Sequence, residues 1–135
     1  DIRPSRGLGD VYKRQAAKYM LPRGRGSIFF TGATASVRGG AGFAAFSGAK
    51  FALRSLSQSM ARELGPQGIH VAHFIIDGAI DTPFIKENFP ETYALKEKNG
   101  ILQPTEIAEA YWSVHVQHPS AWTQEMDLRP YMEKF

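Results

Sequence analysis

Lys50 is an amine set in a largely apolar helical stretch, and a loop rich in hydroxyl groups precedes it. The hydroxyls belong to Thr31, Thr34, Ser36 and Ser47. An unactivated alcohol is far less acidic than a phenol, so these side chains are poor proton donors. Thr34 could instead hold a carbonyl oxygen, although a loop threonine also commonly bonds its own backbone. For Lys50 the open alternatives are a ligand-binding amine and a solvated helix lysine.

A second stretch, 77–82 (DGAIDT), follows an apolar run typical of a buried strand. Folds with parallel strands bind ligands at the carboxyl ends of the strands, and a glycine such as Gly78 lets a ligand approach the backbone closely. The alternative is a plain turn in which aspartate and glycine are ordinary turn residues. Asp77 could supply acid/base chemistry, but an unburied carboxylate titrates near about pH 4 and is a poor proton donor at neutral pH.

The four histidines do not form a metal-binding pattern. His70 and His73 are three residues apart on a predicted strand, so they face opposite sides of the sheet. His115 and His118 lie near a predicted helix end with no carboxylate in register. We therefore predict no metal site.

An alternation of strands and helices must position these residues. Ser27–Gly32 is short, β-branched and aromatic and predicts a buried parallel strand, as does Ile69–Ile76. Between them, apolar residues at three- and four-residue steps predict a helix over Ala44–Leu64. The remaining predicted elements are a helix end at Ala16–Leu21, a short helix and mobile connection in Phe84–Gly100, a helix over Pro104–Gln117 and a strand over Trp122–Leu128. This order predicts an α/β fold with about three parallel strands and flanking helices.

The first fifteen residues differ in character from the rest. They show no apolar periodicity, and 10–15 (DVYKRQ) resembles the translation of a transposon-end adapter used in DNA library preparation. We therefore predict a non-native or disordered leader over 1–15 and a partial domain over 16–135. A flexible native terminus is the alternative. The leader holds four of the sixteen basic residues and two of the thirteen acidic ones, so the remainder has twelve against eleven, a net charge of +1.

Composition excludes several classes of protein. The chain has no cysteine, which excludes disulfides and thiolate metal sites and fits a cytoplasmic location. No apolar run reaches the roughly eighteen residues that a membrane helix needs. No basic run with interleaved aromatic residues indicates nucleic-acid binding. We expect neither a membrane nor a nucleic acid as partner.

The segment Gly26–Gly65 resembles the active-site region of the short-chain dehydrogenase/reductase family. In that family a Tyr-x-x-x-Lys motif opens the long helix, and the matching residues here are Phe46 and Lys50. The family's catalytic serine lies thirteen residues before the tyrosine, at the position of Ala33. The resemblance implies a role for each of the three family residues. The tyrosine transfers the proton of the substrate oxygen, and the serine holds that oxygen. The lysine binds the nicotinamide ribose and lowers the tyrosine pKa. Ala33 and Phe46 have no hydroxyl for these roles, and Thr34 is the nearest candidate to hold the oxygen.

The loop after the second strand carries the rest of the resemblance. The family has Pro-Gly there, then a branched residue whose backbone meets the nicotinamide carboxamide, and a threonine two positions on. Gly78, Ile80 and Thr82 match this pattern, and Asp77 replaces the proline. The resemblance implies that Lys50 and these three residues bind the cofactor.

The resemblance implies a fold and two alternative functions. The fold is the C-terminal part of a doubly wound, Rossmann-type parallel sheet, and the Gly-rich phosphate-binding loop belongs to a half that this fragment does not contain. The first function is an NAD- or NADP-dependent oxidoreductase that transfers hydride between nicotinamide and a small carbonyl or alcohol substrate. The second is a non-catalytic relative that binds nucleotide or serves as an oligomer scaffold.

Assembly and behaviour of the chain follow from the same resemblance. We expect a homodimer or tetramer for the full-length protein, and the small side chains of Ala45, Ala49 and Ala52 would allow close helix packing in it. We expect the isolated chain to be inactive, unable to bind the dinucleotide and poorly soluble. The unpaired edge of the Ser27–Gly32 strand is the reason for the last expectation.

Overall fold

The computed structural model describes residues 13–135 and contains a three-stranded parallel sheet with helices on both faces. The strands are β1 (Gly26–Ala33), β2 (Ile69–Ile76) and β3 (Glu125–Leu128), in the spatial order β1-β2-β3. The helices are α1 (13–20), α2 (Ala44–Leu64), α3 (Pro83–Asn88), α4 (Pro90–Tyr93) and α5 (Pro104–His115), with short 3₁₀ turns between them. The predicted α/β fold is therefore confirmed.

Several predicted boundaries differ from the observed ones. The bounds of α2 and β2 are as predicted, and β1 extends the predicted strand by one residue at each end. The third strand is shorter than predicted and begins at Glu125, and Trp122, which was predicted to open it, stacks its ring on His70. The connection predicted within Phe84–Gly100 contains α3, α4 and a 3₁₀ turn over Ala94–Lys98.

Part of the predicted leader lies inside the first helix. Helix α1 begins by Lys13, whose ammonium sits 3.8 Å from the centroid of the buried Phe30 ring. The rest of the predicted leader, 1–12, lies outside the described residues. The foreign origin of 1–15 stays a prediction.

The sheet separates two apolar clusters because side chains alternate across each strand. On one face Phe30 and Ile69 pack with Leu53, Leu56 and other residues of α1 and α2. On the opposite face Phe74 packs with residues of α5 and β3, with the other buried members being Ala72, Ile76, Leu102 and Val114. The two faces hold α2 and α5 on opposite sides of β2.

Helix α2 buries only part of its apolar pattern. Leu53, Leu56 and Met60 pack against the first cluster, as their spacing predicts. Ala45 and Ala49 belong to the same predicted apolar pattern but are exposed. The amino-terminal turns of α2 therefore extend past the sheet, and Phe46 on these turns is half exposed.

Within residues 13–135, no helix is both long enough and apolar enough to cross a membrane.

Candidate functional site

The Lys50 side chain lies on the first turns of α2 and reaches the end of β1. Its ammonium donates to the main-chain oxygen of Thr31 over 3.4 Å and lies 5.8 Å from the centroid of the Phe46 ring. Thr31 is two residues from the carboxyl end of β1. The helix thus places an amine, half buried, at the edge of the sheet where α/β folds bind ligands.

Ala33, the last residue of β1, and Thr34, in the turn that follows, lie at the same edge. The N–H of Ala33 donates to the buried Ser36 hydroxyl over 3.0 Å, and the Ala33 methyl brings no polar atom to the site. The Thr34 hydroxyl donates to Asp77 Oδ1 over 2.5 Å. This hydroxyl proton is therefore committed to a carboxylate, and the Thr34 oxygen is left to act as an acceptor.

Asp77 is buried at the carboxyl end of β2, with only 4% of its surface exposed. Its N–H donates to the carbonyl of Leu128 over 2.8 Å, a bond that a proline at this position could not make. Its carboxylate accepts from Thr34 and, over 3.2 Å, from Arg129 Nε. The Arg129 guanidinium also binds Asp127, and the hydrogen bonds to Asp127 and Asp77 raise the Arg129 pKa.

The loop that follows Asp77 is held in a fixed shape. Gly78 has a φ of +145°, and a Cβ there would lie 3.0 Å from Pro130 Cδ, so both the backbone and the space favour glycine. Ile80 forms an isolated parallel bridge with Leu102. The Thr82 hydroxyl caps α3 by accepting from the Ile85 N–H over 3.3 Å.

The register of the sheet places the ends of the three strands at one edge. Ala33 pairs with Ile76 and Ile76 with Leu128, so all three strands end at the same level. Two groups of predicted site residues lie on these elements. The first is at the end of β1 and on the first turns of α2: Ala33, Thr34, Phe46 and Lys50. The second is in the loop that follows β2: Gly78, Ile80 and Thr82. The direct link between the two groups is the hydrogen bond from Thr34 to Asp77.

A partly buried polar network that was not predicted from the sequence lies beneath the edge. His73 Nδ1 and Glu125 Oε2 are 3.1 Å apart, and Arg54 binds both Glu125 oxygens at 2.8 and 2.9 Å. Ser36 and the Nε2 of His73 both crowd Gly32, on which a Cβ would lie 2.6 and 2.4 Å from their atoms. Residues of three elements, β2, β3 and α2, therefore lie beneath the end of β1, next to Ala33 and Thr34.

Burial and ion pairing set the protonation states in this network. Burial lowers the His73 pKa, and the hydrogen bond with Glu125 only partly opposes this. Burial alone would raise the Glu125 pKa, but the hydrogen bonds from Arg54 and His73 outweigh it and the pKa is lowered. A neutral His73 and an ionised Glu125 bound to Arg54 are the favoured forms at neutral pH. Among the described residues, no three His, Asp or Glu side chains are grouped so that they could hold a metal ion.

Comparison with known proteins assigns the chain to one family. The model of the short chain dehydrogenase family matches residues 11–92, a range that includes every site residue named from the sequence. A 3-dehydrosphinganine reductase of Danio rerio is 36% identical over 107 residues, which cover 76% of this chain and 32% of the relative.

Solved structures agree with this match. A short-chain dehydrogenase from Rhodopseudomonas palustris is 51% identical with a TM-score of 0.66, covering 87% of this chain and 44% of that one. A serine dehydrogenase solved in its closed form with NADP+ is 18% identical with a TM-score of 0.74, covering 91% of this chain and 51% of that one, and shows the fold alone. The chain thus spans about a third of the length of the first curated relative and about half of these solved chains. It belongs to the short chain dehydrogenase family.

Proposed function

We propose that this chain forms the nicotinamide- and substrate-binding half of an NAD- or NADP-dependent oxidoreductase that interconverts a small alcohol and its carbonyl compound. The observation that carries the proposal is the position of Lys50. Its ammonium is held by the Thr31 carbonyl at the end of β1, on the edge of the sheet that also bears the Gly78 loop. The family match over residues 11–92 supports the same assignment.

The residues present fit a nicotinamide nucleotide. The Lys50 ammonium has three N–H donors, so its bond to Thr31 leaves donors for the hydroxyls of a ribose. Gly78 has no side chain at the point where the loop leaves β2, which lets a planar ring approach the backbone. Ile80 and Thr82 present backbone on the same half-buried loop. When bound, the nicotinamide supplies the carbon that gives or takes the hydride.

The protein's own groups bind and orient, and they offer little acid/base chemistry. Phe46 and Ala33 contribute no hydroxyl, and the Thr34 proton is committed to Asp77. A positioned acid or base contributes roughly 10²–10⁴ in rate, so turnover without one is expected to be slow. Proton exchange would then depend on Thr34 with Asp77, on the substrate or on water.

A second candidate function is a non-catalytic nucleotide-binding or scaffold role, favoured by the same two replacements. Phe43, immediately before α2, and Phe46, on its first turn, are 61% and 50% exposed beside the exposed Ala45 and Ala49. Such an apolar helix face suits association with another copy of the chain. A dimer or tetramer of the full-length protein is proposed on this basis.

Two measurements on a full-length protein carrying this chain separate the candidates. Reduced nicotinamide nucleotide is incubated with a panel of ketones and aldehydes, and nucleotide binding is measured by fluorescence. An enzyme gives turnover that Lys50→Ala abolishes together with most of the nucleotide affinity. Lys18→Ala, an exposed lysine of α1, is the matched control and should change neither.

Each candidate has an outcome that rejects it. Tight nucleotide binding with no turnover against any carbonyl compound supports the non-catalytic role and rejects the enzyme. Nucleotide binding that Lys50→Ala does not weaken rejects the assignment of Lys50 and, with it, the proposed site.

A further inference from the structure

Asp77 places a buried negative charge at the start of the proposed nicotinamide-binding loop. A buried carboxylate is costly unless it is paired, and its partners here are Thr34 and Arg129. Arg129 does not neutralise Asp77 fully, because the same guanidinium also binds Asp127. The three charged groups carry a net charge of −1.

The other charges near Gly78 do not cancel this excess. Glu133 Oε2 lies 3.5 Å from the point where a Cβ on Gly78 would sit, which adds a second acidic group. Lys96 is engaged with Asp81 over 2.9 Å, so that pair is neutral. Lys86 and Glu87 both lie beside Asp81 and Thr82 and carry opposite charges. The Lys50 ammonium is directed to the Thr31 carbonyl on β1. The end of β2 is therefore acidic on balance.

We propose that Asp77 makes this edge of the sheet select the oxidised, cationic nicotinamide ring over the neutral reduced ring. The inference rests on the proposed function, since it requires the ring to lie against the Gly78 loop. A pyridinium ring carries a positive charge that the dihydro ring lacks, and a nearby carboxylate in a partly buried site attracts only the former. The site then binds the oxidised nucleotide more tightly than the reduced one, which makes the bound oxidised ring a weaker hydride acceptor and shifts the equilibrium on the protein toward the alcohol.

The expected preference is modest because Arg129 offsets part of the field. A carboxylate and a ring cation a few ångströms apart attract each other appreciably at the effective dielectric constant of a partly buried site. The Arg129 guanidinium, which is paired with Asp77, reduces this attraction. We expect the cationic ring to bind roughly three- to tenfold more tightly than the neutral one.

The test uses two ring probes that differ by one hydride. They are the ring-methylated nicotinamide cation and its neutral dihydro counterpart, titrated against the 135-residue chain by saturation-transfer NMR, which needs little protein. The probes reach the ring-binding edge without requiring a dinucleotide-binding loop. The preference for the cation should fall in Asp77→Asn, an isosteric change that keeps an acceptor for Thr34.

Three further variants separate charge from structure. Asp127→Asn has the same change of charge at a side chain that is half exposed, so it should reduce the preference less. Arg129→Gln removes the offsetting cation and should increase the preference. Thr34→Val keeps the charge of Asp77 and should keep the preference. The opposite signs of Asp77→Asn and Arg129→Gln cannot both result from a loss of folding, which a thermal melt of each variant checks.

The outcomes distinguish this inference from the function beneath it. Equal binding of the two probes to the wild-type chain overturns the charge selection and leaves the nicotinamide site standing. A preference that Asp77→Asn leaves unchanged also overturns it. Saturation transfer to neither probe overturns both the selection and the proposed site.

Discussion

Phe46 is the residue that the sequence analysis matches to the family's proton-transferring tyrosine, and its ring is 50% exposed beside Lys50. We predict that Phe46→Tyr combined with Ala33→Ser raises turnover of the full-length protein by roughly 10²–10⁴, the usual contribution of a positioned acid or base. The Lys50 ammonium, 5.8 Å from the ring centroid, would lower the pKa of the new phenol. Steady-state rates with a carbonyl panel and reduced nucleotide measure the effect.

The matched control adds the same phenol outside the site. Phe43→Tyr changes a ring that is 61% exposed at the residue that precedes α2. It should leave turnover unchanged. An equal gain in both variants would show that the added hydroxyl does not act through Lys50, and no gain in the double variant would count against a catalytic ancestry of this pocket.

Because His73 is buried, we predict that the chain loses stability on mild acidification. Burial lowers its pKa in the folded chain, so below about pH 6.5 the unfolded chain takes up a proton that the folded chain resists. The free energy of unfolding should therefore fall as the pH drops from about 7.5 to 5.5, by at most about 1.4 kcal/mol per pH unit for this group. Urea unfolding at several pH values measures the slope, and His73→Gln should flatten it.

His70 contributes in the same direction, because burial lowers its pKa as well. The slope of the unfolding free energy against pH should therefore be smallest in the variant in which both His70 and His73 are replaced. Most carboxylates stay ionised in this pH range, so the lowered pKa of Glu125 adds to the loss only at lower pH. A His73→Gln slope equal to that of the wild type would contradict the prediction.

At the scale of elements, the loop after β1 depends on a position with no side chain. A Cβ on Gly32 would lie 2.4 Å from His73 Nε2 and 2.6 Å from Ser36 Oγ, both fully buried. We predict that Gly32→Ala destabilises the chain by about 1–3 kcal/mol, since the network beneath the loop must move apart. The midpoint and slope of urea unfolding give this value.

Gly48 supplies the opposite case within α2. A Cβ there meets nothing within 4 Å, and the residue is in the interior of a helix. Gly48→Ala should therefore stabilise the chain by about 0.5–1 kcal/mol through its helix propensity. Equal effects of the two substitutions would mean that the packing around Gly32 is not as tight as the structure indicates.

Periodicity predicts elements well here and predicts partners poorly. The bounds of α2 and β2 follow from one apolar pattern each, and the Gly78 loop follows from its place after β2. Neither pattern indicates that Arg54 binds Glu125, 71 residues later, or that Asp77 binds Arg129, 52 residues later. Such pairs depend on how the strands are brought together in space. They therefore become visible only in the folded chain.

Ala45 and Ala49 show a second limit of the sequence pattern, which is that it does not predict burial. Their spacing continues the apolar pattern of α2, but the sheet ends before it reaches these turns, so they are exposed. A periodic pattern identifies the face of a helix and does not identify what covers that face.

At the scale of the whole molecule, the two edges of the described sheet differ. β3 is four residues long and carries Glu125 and Asp127, features that discourage pairing with another strand. β1 is eight residues long, mostly apolar and uncharged, and pairs with β2 alone among the described strands. The β1 edge is therefore the more probable template for strand pairing between chains.

We predict that the 135-residue chain self-associates through β1 at micromolar concentration. Thr31→Lys should increase the monomer fraction, since Thr31 is exposed on this strand and a lysine on an edge opposes pairing. Thr105→Lys makes the same change on the exposed surface of α5 and should leave association unchanged. Light scattering over a concentration series measures both.

Two outcomes would contradict the prediction. A wild-type chain that is monomeric and melts cooperatively would show that the edge of β1 is already protected. Association that both lysine variants reduce equally would reflect net charge instead of strand pairing.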